Sequence, residues 1–402
     1  MTGDSVPSIR FAGTDNSWTR RALGEVSCIN PKSAIPEQFE YIDLASVSGT
    51  ELLSHRLEQR ASAPLRAQRL AQPGDIFYQT VRPYQKNNYF FTNKSTENQY
   101  VFSTGYAQLR PEIDGCFLFS SLLRDEFLQQ VLIRCTGTGY PAINANDLAE
   151  IEISVPKDPT EQEAIGSLFH KLDNLLDASA KKIEKLKQLK ATMLTKMFPQ
   201  AGTDEPDIRF EGFSGAWESR RIIDEVTIFG GLTYSPSDIS NRGTLVLRSS
   251  NVHNGHIVTN DCVHVRSGAV NVQNVRVNDI VMVVRNGSRA LIGKHAMIKH
   301  PMPNTVIGAF MACLRAEQPT FINALFSTKV FVDEVAKSMG ATINQITLGM
   351  FEEMAFLFPS DIGEQQAIGT FFHELDELID GELQMLEKLH NLKSAFLRSM
   401  FV

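Results

Sequence analysis

The strongest constraint on this chain is a stretch that occurs twice. Residues 161–198 read EQEAIGSLFHKLDNLLDASAKKIEKLKQLKATMLTKMF, and residues 364–401 read EQQAIGTFFHELDELIDGELQMLEKLHNLKSAFLRSMF, with about half of the positions identical. Apolar residues recur at alternating steps of four and three. In the first copy they are Ile165, Phe169, Leu172, Leu176, Ile183, Leu186, Met193 and Met197. In the second they are Ile368, Phe372, Leu375, Ile379, Leu386, Leu389, Phe396 and Met400. That spacing predicts a helix with a narrow apolar seam, the coiled-coil pattern. The seam is interrupted at matching places, Ser179 and Lys190 in one copy and Glu382 and Lys393 in the other. At about 1.5 Å per residue each helix is nearly 60 Å long, more than a small domain buries along one side. Each is expected to span between globules, and a repeat of this size marks the whole chain as a duplication.

The duplication extends to the segments in front. Pro7–Trp18, PSIRFAGTDNSW, recurs as PDIRFEGFSGAW at Pro206–Trp217, directly after the first long helix. The first copy is therefore expected to follow the second long helix in space, which makes the molecule pseudo-cyclic. Pro199–Asp207 is the clear linker. Between each tail and helix lie globules of mixed character, large enough to bury a core. Strands are expected within residues 36–47 and 73–81 of the first globule, and within 244–252 and 278–288 of the second. Asn254-Gly255 signals a two-residue hairpin. Helices are expected at Leu118–Ile133 and Thr320–Lys337, where the apolar spacing turns to three and four. Both globules are read as closing alike, Thr138–Asn144 before IEISVP and Met339–Asn344 before MAFLFP. The resulting boundaries are 1–157, 158–199 (helix), 200–206 (linker), 207–359 and 360–402 (helix).

Charge is informative only when read locally. The net charge of −7 argues against nucleic acid, yet residues 60–110 hold seven basic residues against two acids, and residues 242–315 hold nine against two. Two basic blocks, one per repeat, sit in an acidic framework, and local charge decides whether a surface meets a phosphate backbone. No charged-then-apolar leader and no long apolar run is present, so a cytoplasmic protein without membrane contact is expected. The five scattered cysteines include no CxxC pair and read as structural thiols.

Enzyme signatures are missing. There is no GxxxxGK[ST] loop, no GxGxxG after a strand, no DPPY- or NPPF-like methyltransferase loop and no Glu-x-Lys. His253, His256 and His264 flank a hairpin tip with no carboxylate at ligand spacing, so no metal is expected there. His170 and His373, at matching helix positions, read as packing or interface residues. Material for reading bases is present instead. Arg82, Tyr84, Lys86, Asn87 and Asn88 form a basic, aromatic loop after a strand, with Lys94 beyond it; Arg285, Asn286, Arg289 and Lys294 occupy the corresponding point of the second globule, with Arg248, Asn251 and His253 nearby. Arginine pairs bidentately with guanine, and asparagine with adenine. The helices are alike and the globules are not, a frame that presents two different binding specificities.

The paired EQ-x-AIG-x-x-F-H-x-LD helices, and the PGD- and ND-led strands before an arginine-bearing loop, resemble the specificity subunits of Type I DNA restriction–modification systems, over essentially the whole chain. The resemblance implies an α+β fold: two target-recognition domains of mixed character, separated by two long antiparallel coiled-coil helices in a pseudo-twofold repeat. Antiparallel packing then puts the globules at opposite ends, and the outer face of the pair, with Phe and Met near its ends, is left open to other helices. The resemblance further implies a non-catalytic subunit whose two domains each read one half of a bipartite, asymmetric site in double-stranded DNA. The implied partners are two methyltransferase subunits and restriction/translocase subunits. No cofactor is implied in this chain; the partners would use S-adenosylmethionine, ATP and Mg²⁺. A rival reading is a non-catalytic coiled-coil adaptor that binds proteins through its two heads, and another is an enzyme with an unfamiliar site.

Overall fold

A computed structural model describes residues 6–14, 17–93, 98–137, 139–339 and 344–402. The chain divides into two compact units. The first is Met1–Ala180 with Gln384–Val402, and the second is Lys181–Leu383. Each unit thus holds one head, part of the long helix that follows that head, and part of the other long helix.

The long helices run over Pro159–Lys196 and Ile362–Ser399. Each starts where an aspartate turns its carboxylate onto the first turn: Asp158 Oδ1 accepts from the Thr160 N–H at 2.9 Å, and Asp361 Oδ1 from the Gly363 N–H at 2.7 Å. Within each unit the two helices run antiparallel. In the first, Asp173 bonds Lys393 at 2.5 Å while Phe169 packs on Phe401. In the second, Lys190 bonds Asp376 at 2.5 Å while Phe198 packs on Phe372. The seam residues Ile165, Phe169, Leu172, Leu176 and Ile183 are buried, as are Ile368, Phe372, Leu375 and Ile379. Leu186, Leu386 and Leu389 are half-buried. The interruptions at Lys190 and Lys393 are thus the two copies of one cross-helix ion pair. The Phe and Met residues at the helix ends do not stay open. Met197, Phe198, Met400 and Phe401 are buried under the heads, because the chain leaves the helix there and turns into a core.

The first head carries two four-stranded sheets. One runs Arg56–Gln59, Gln38–Ile42, Tyr100–Ser103, Ala67–Leu70, with only the central pair parallel. The other, wholly antiparallel, runs Ser27–Ile29, Tyr106–Pro111, Ile76–Gln79, Tyr89–Phe90. The second head repeats the antiparallel sheet as Val226–Gly230, Met311–Ala316, Ile280–Val283, His295–Met297. Its other sheet runs Ile239–Ser240, Val263–Val265, Thr244–Leu247, Thr305–Ile307, with the parallel pair at one edge instead of the centre. Each expected helix is two. Asp125–Arg134 follows Gly115–Leu122, and Lys329–Ser338 follows Pro319–Phe326, with Thr328 accepting a fresh N-terminal hydrogen bond from Phe331 N–H. Asn254 (φ 50°) and Gly255 (φ 80°) form the expected hairpin between Val252–His253 and His256–Ile257. The closing loops match differently from the expected register. Ile143 corresponds to Ile346, each N–H donating to the carbonyl where the central strand ends (Thr80 O, 3.1 Å; Val284 O, 2.7 Å), and Asn144 and Thr347 cap the short helices that follow.

Tail, helix and head meet at a buried ion pair in each unit. Arg10 donates twice to Glu161, at 2.9 and 2.7 Å, and Arg209 twice to Glu364, both at 2.7 Å; both carboxylates are 1% exposed. Around them Phe401 packs on Trp18 and Phe117, as Phe198 packs on Trp217 and Phe321. The backbone agrees: Ile9 N–H donates to Ser399 O, and Ile208 N–H to Lys196 O, both at 2.9 Å. The first tail therefore follows the second helix in space, as the repeat requires.

Candidate nucleic-acid interface

In the first head the buried strand Ile76–Gln79 ends in a loop organised by its last side chain. Gln79 Nε2 donates to Val81 O (2.7 Å) and Gln85 Oε1 (2.8 Å), and its Oε1 accepts from Asn87 N–H (3.1 Å). Arg82 and Lys86 bracket a single turn over Pro83–Gln85 in the left-handed region, each with φ 56°, a conformation that costs energy for a residue with a side chain. Arg82 N–H donates to Pro141 O at 2.8 Å, and its guanidinium lies 4.3 Å from the ring centre of Tyr140. Tyr84 is exposed, and Lys86 pairs with Asp125. Arg82, Asn87, Gln85, Arg66 and Tyr140 line one cleft of about 990 Å³.

The second head places its residues less tightly. Arg285 pairs with Gln345 as an isolated bridge, its N–H donates to Phe310 O (3.1 Å), and its guanidinium lies 5.1 Å from the Phe310 ring. Asn286 Nδ2 donates to Ser249 Oγ at 3.1 Å. Arg248 is held by the carboxylate of Asp261 at 2.7 Å. His253 and Lys294 are exposed. Arg289 and Lys294 line a different cleft of about 730 Å³, floored by Ile292, Phe331 and Val335.

Several expected readers are occupied with the protein itself. Asn88 is buried, its Oδ1 accepting from Gln79 N–H at 2.8 Å. Asn251 is fully buried: Oδ1 accepts from Arg248 N–H, and Nδ2 donates to Val258 O and Asp261 O. Both amides satisfy backbone groups, so neither presents an edge to a base. Arg289 donates to Met339 O (2.5 Å) and Ala336 O (3.3 Å), the free carbonyls at the end of Lys329–Ser338. Arg110 and Arg315, counted in the basic blocks, each grip a buried aspartate bidentately, Asp75 (2.9 Å) and Asp279 (2.7 Å); that hydrogen bonding pushes both guanidinium pKa values up. These are the aspartates of the PGD and ND strand leads, whose role is thereby structural. Lys94 lies outside the described residues.

Tyr140 and Phe310 escaped the sequence reading as members of these sites, and Arg66 entered it only within the first basic block. Arg66 precedes the loop by two strands, and both rings come from segments distant in sequence. Among the described residues no group of three His, Cys, Asp or Glu side chains is arranged to hold a metal, and no helix is long and apolar enough to cross a membrane.

The family model for the Type I restriction modification DNA specificity domain matches residues 66–188 and 215–391. The chain belongs to that family. The two matched stretches are the two repeats, so the specificity domain occurs here twice. Among curated relatives, the StySPI Type I restriction enzyme specificity subunit of Salmonella potsdam is 26% identical over 189 residues, 45% of this chain and 40% of its own length. The MjaVIII specificity subunit of Methanocaldococcus jannaschii is 23% identical over 293 residues, 70% of this chain and 68% of that protein. The match thus spans about two-fifths of the first relative and two-thirds of the second. Among solved structures, the Type I restriction-modification S subunit from M. genitalium has the same fold, with a TM-score of 0.65 at 16% identity over 99% of both chains. A chain from another type I R-M system aligns with a TM-score of 0.51 at 21% identity, over 96% of this chain and 97% of that one.

Proposed function

We propose that this chain reads a bipartite, asymmetric site in double-stranded DNA, one head to each half, for a Type I restriction–modification complex. The observation that carries the reading is that each head ends its central buried strand at an arginine whose guanidinium is left unpaired by carboxylate. Among the described residues neither Arg82 nor Arg285 has an acidic side chain within ion-pair range, although the framework is acidic. A bare guanidinium at a strand exit offers the two parallel N–H groups that distinguish guanine. Tyr84, Lys86, Asn87 and Arg66 in one head, and Asn286, Lys294, His253 and Arg248 in the other, supply further contacts to bases or phosphates. The two loops differ in sequence, so the two half-sites differ.

The partners follow from the helices. Leu175 and Leu392 in the first unit, and Leu189 and Leu378 in the second, are large apolar side chains exposed at matching positions of the repeat. Two equivalent apolar strips support two copies of one partner, a methyltransferase subunit, with restriction/translocase subunits joining that assembly. The chemistry, and its S-adenosylmethionine, ATP and Mg²⁺, belongs to those partners.

Methylome sequencing of cells expressing this chain with its methyltransferase partner tests the reading. Two unlike half-sites separated by unread bases are expected, and native mass of the purified complex should give two methyltransferase subunits. Arg82→Ala and Arg285→Ala should each relax or abolish one half-site only, a loss of about 1–3 kcal/mol per bidentate contact. Normal methylation by both variants would sink the assignment.

A further inference from the structure

The two strand-exit arginines share an arrangement that their common ancestry does not explain. Thr80 N–H donates to Gly105 O, and Val284 N–H to Phe310 O, both at 3.0 Å, so Thr80 matches Val284. The bridges Val81–Ala142 and Arg285–Gln345 agree. Arg82 thus matches Asn286, one position beyond Arg285. The rings differ too. Phe310 stands on the turn before Met311–Ala316, where the first head has Gly105; a Cβ there would meet Leu44 Cδ1 at 2.9 Å. The first head takes its ring from the closing loop, at Tyr140. Different arginine positions and different rings reach the same pairing.

Both rings are solvent-exposed, Tyr140 by 67% and Phe310 by 52%, so neither serves a core. The other arginines that lie over rings are also tied down by oxygen: Arg56 by Asp43, Arg315 by Asp279, Arg124 by Val402 O. Among the described residues, the ring alone holds the cation over Tyr140 and Phe310. An aromatic face attracts the guanidinium and fixes its plane, while leaving the hydrogen-bonding edge unspent.

We propose that Tyr140 and Phe310 are positioning residues, each holding a base-reading arginine in the orientation that its guanine partner requires. This rests on the reading of Arg82 and Arg285 given above. The arginine then meets DNA already ordered, so the ring acts on discrimination between bases more than on general affinity.

The test uses the chain assembled with its methyltransferase subunits, a duplex carrying the site found by methylome sequencing, and duplexes with one base pair changed. Tyr140→Phe should keep the parent's discrimination. Tyr140→Leu should lower it about tenfold at the base pair that Arg82→Ala identifies, and leave the other half-site unchanged. The double variant Arg82→Ala/Tyr140→Leu should be no worse than Arg82→Ala. Phe310→Leu and Arg285→Ala should repeat the pattern in the other half-site, and Tyr140→Gln replaces the leucine variant if that melts early. Unchanged discrimination in Tyr140→Leu beside a loss in Arg82→Ala would overturn the inference and leave the reading intact. Additive losses would make the ring a DNA contact in its own right, which also overturns it. No effect of Arg82→Ala removes both.

Discussion

Asn251 has the side chain that reads adenine and the position of a loop reader, yet it presents no edge to a base, because its own backbone has claimed it. Asn88 has the same fate. Residue type states what an amide is able to bond, and only the fold states whether its lone pairs are already spent. Aspartates 75 and 279 make the complementary point. Each is 1% exposed and holds an arginine by two hydrogen bonds, with backbone N–H groups of Gln72 and Arg276 added at 2.8 Å. Replacing one partner strands the other without its counter-charge, at a cost of about 3–5 kcal/mol for a buried pair. Arg315→Ala, which leaves the buried Asp279 carboxylate without its counter-charge, should therefore lower the unfolding free energy of this chain by about that amount in urea titration, and a loss below about 1 kcal/mol would show the pair to be ornamental. The arginines were legible as basic. That Arg110 and Arg315 face aspartates while Arg82 and Arg285 face rings depends on contacts between distant strands, which no local pattern carries.

At the scale of elements, the long helices were the most legible part, because one period holds for the whole run and repeats. The heads were less so. Their strands are two to six residues long, and a capping threonine splits what reads as one helix into two. The glycine in each AIG triplet shows what the repeat preserves. A Cβ on Gly166 would strike the carboxylate of Asp114 and come within 2.8 Å of Phe117 N; on Gly369 it would strike Thr320 Oγ1 and come within 2.6 Å of Phe321 N. The long helix thus lies directly on the first turn of a short one, with no room for a methyl group. Alanine is the better helix former by about 1 kcal/mol, but overpacking costs about 1–3 kcal/mol. Gly166→Ala and Gly369→Ala should lower the melting temperature. Gly381→Ala, on the same kind of helix with nothing within 4 Å, should hold or raise it. Calorimetry of the three variants checks the contrast, and equal shifts would refute the contact argument.

For the whole molecule, closure is a matter of covalent distance. The residues separating Lys196 from Ile208 equal in number those that would separate Ser399 from Ile9 if Val402 were bonded directly to Met1, and both pairs make the same 2.9 Å hydrogen bond. A permuted chain with that bond made, opened between Ala201 and Gly202 in the linker, should fold with parent-like stability and methylate the same two half-sites. Chemical denaturation and methylome sequencing decide it; an unfolded or site-blind permutant would show that the tails are not interchangeable. The junction that makes this expectation reasonable is the buried Arg–Glu pair, present once in each unit. Because either arginine meets the same partner in the same surroundings, the pair does not record which tail belongs to which helix. For the gene, this means that a crossover within the repeated helix segments joins two heads from different parents without disturbing a single buried charge. If the heads read DNA as proposed, such exchange would redraft the vocabulary of the pair and leave the grammar of the frame untouched.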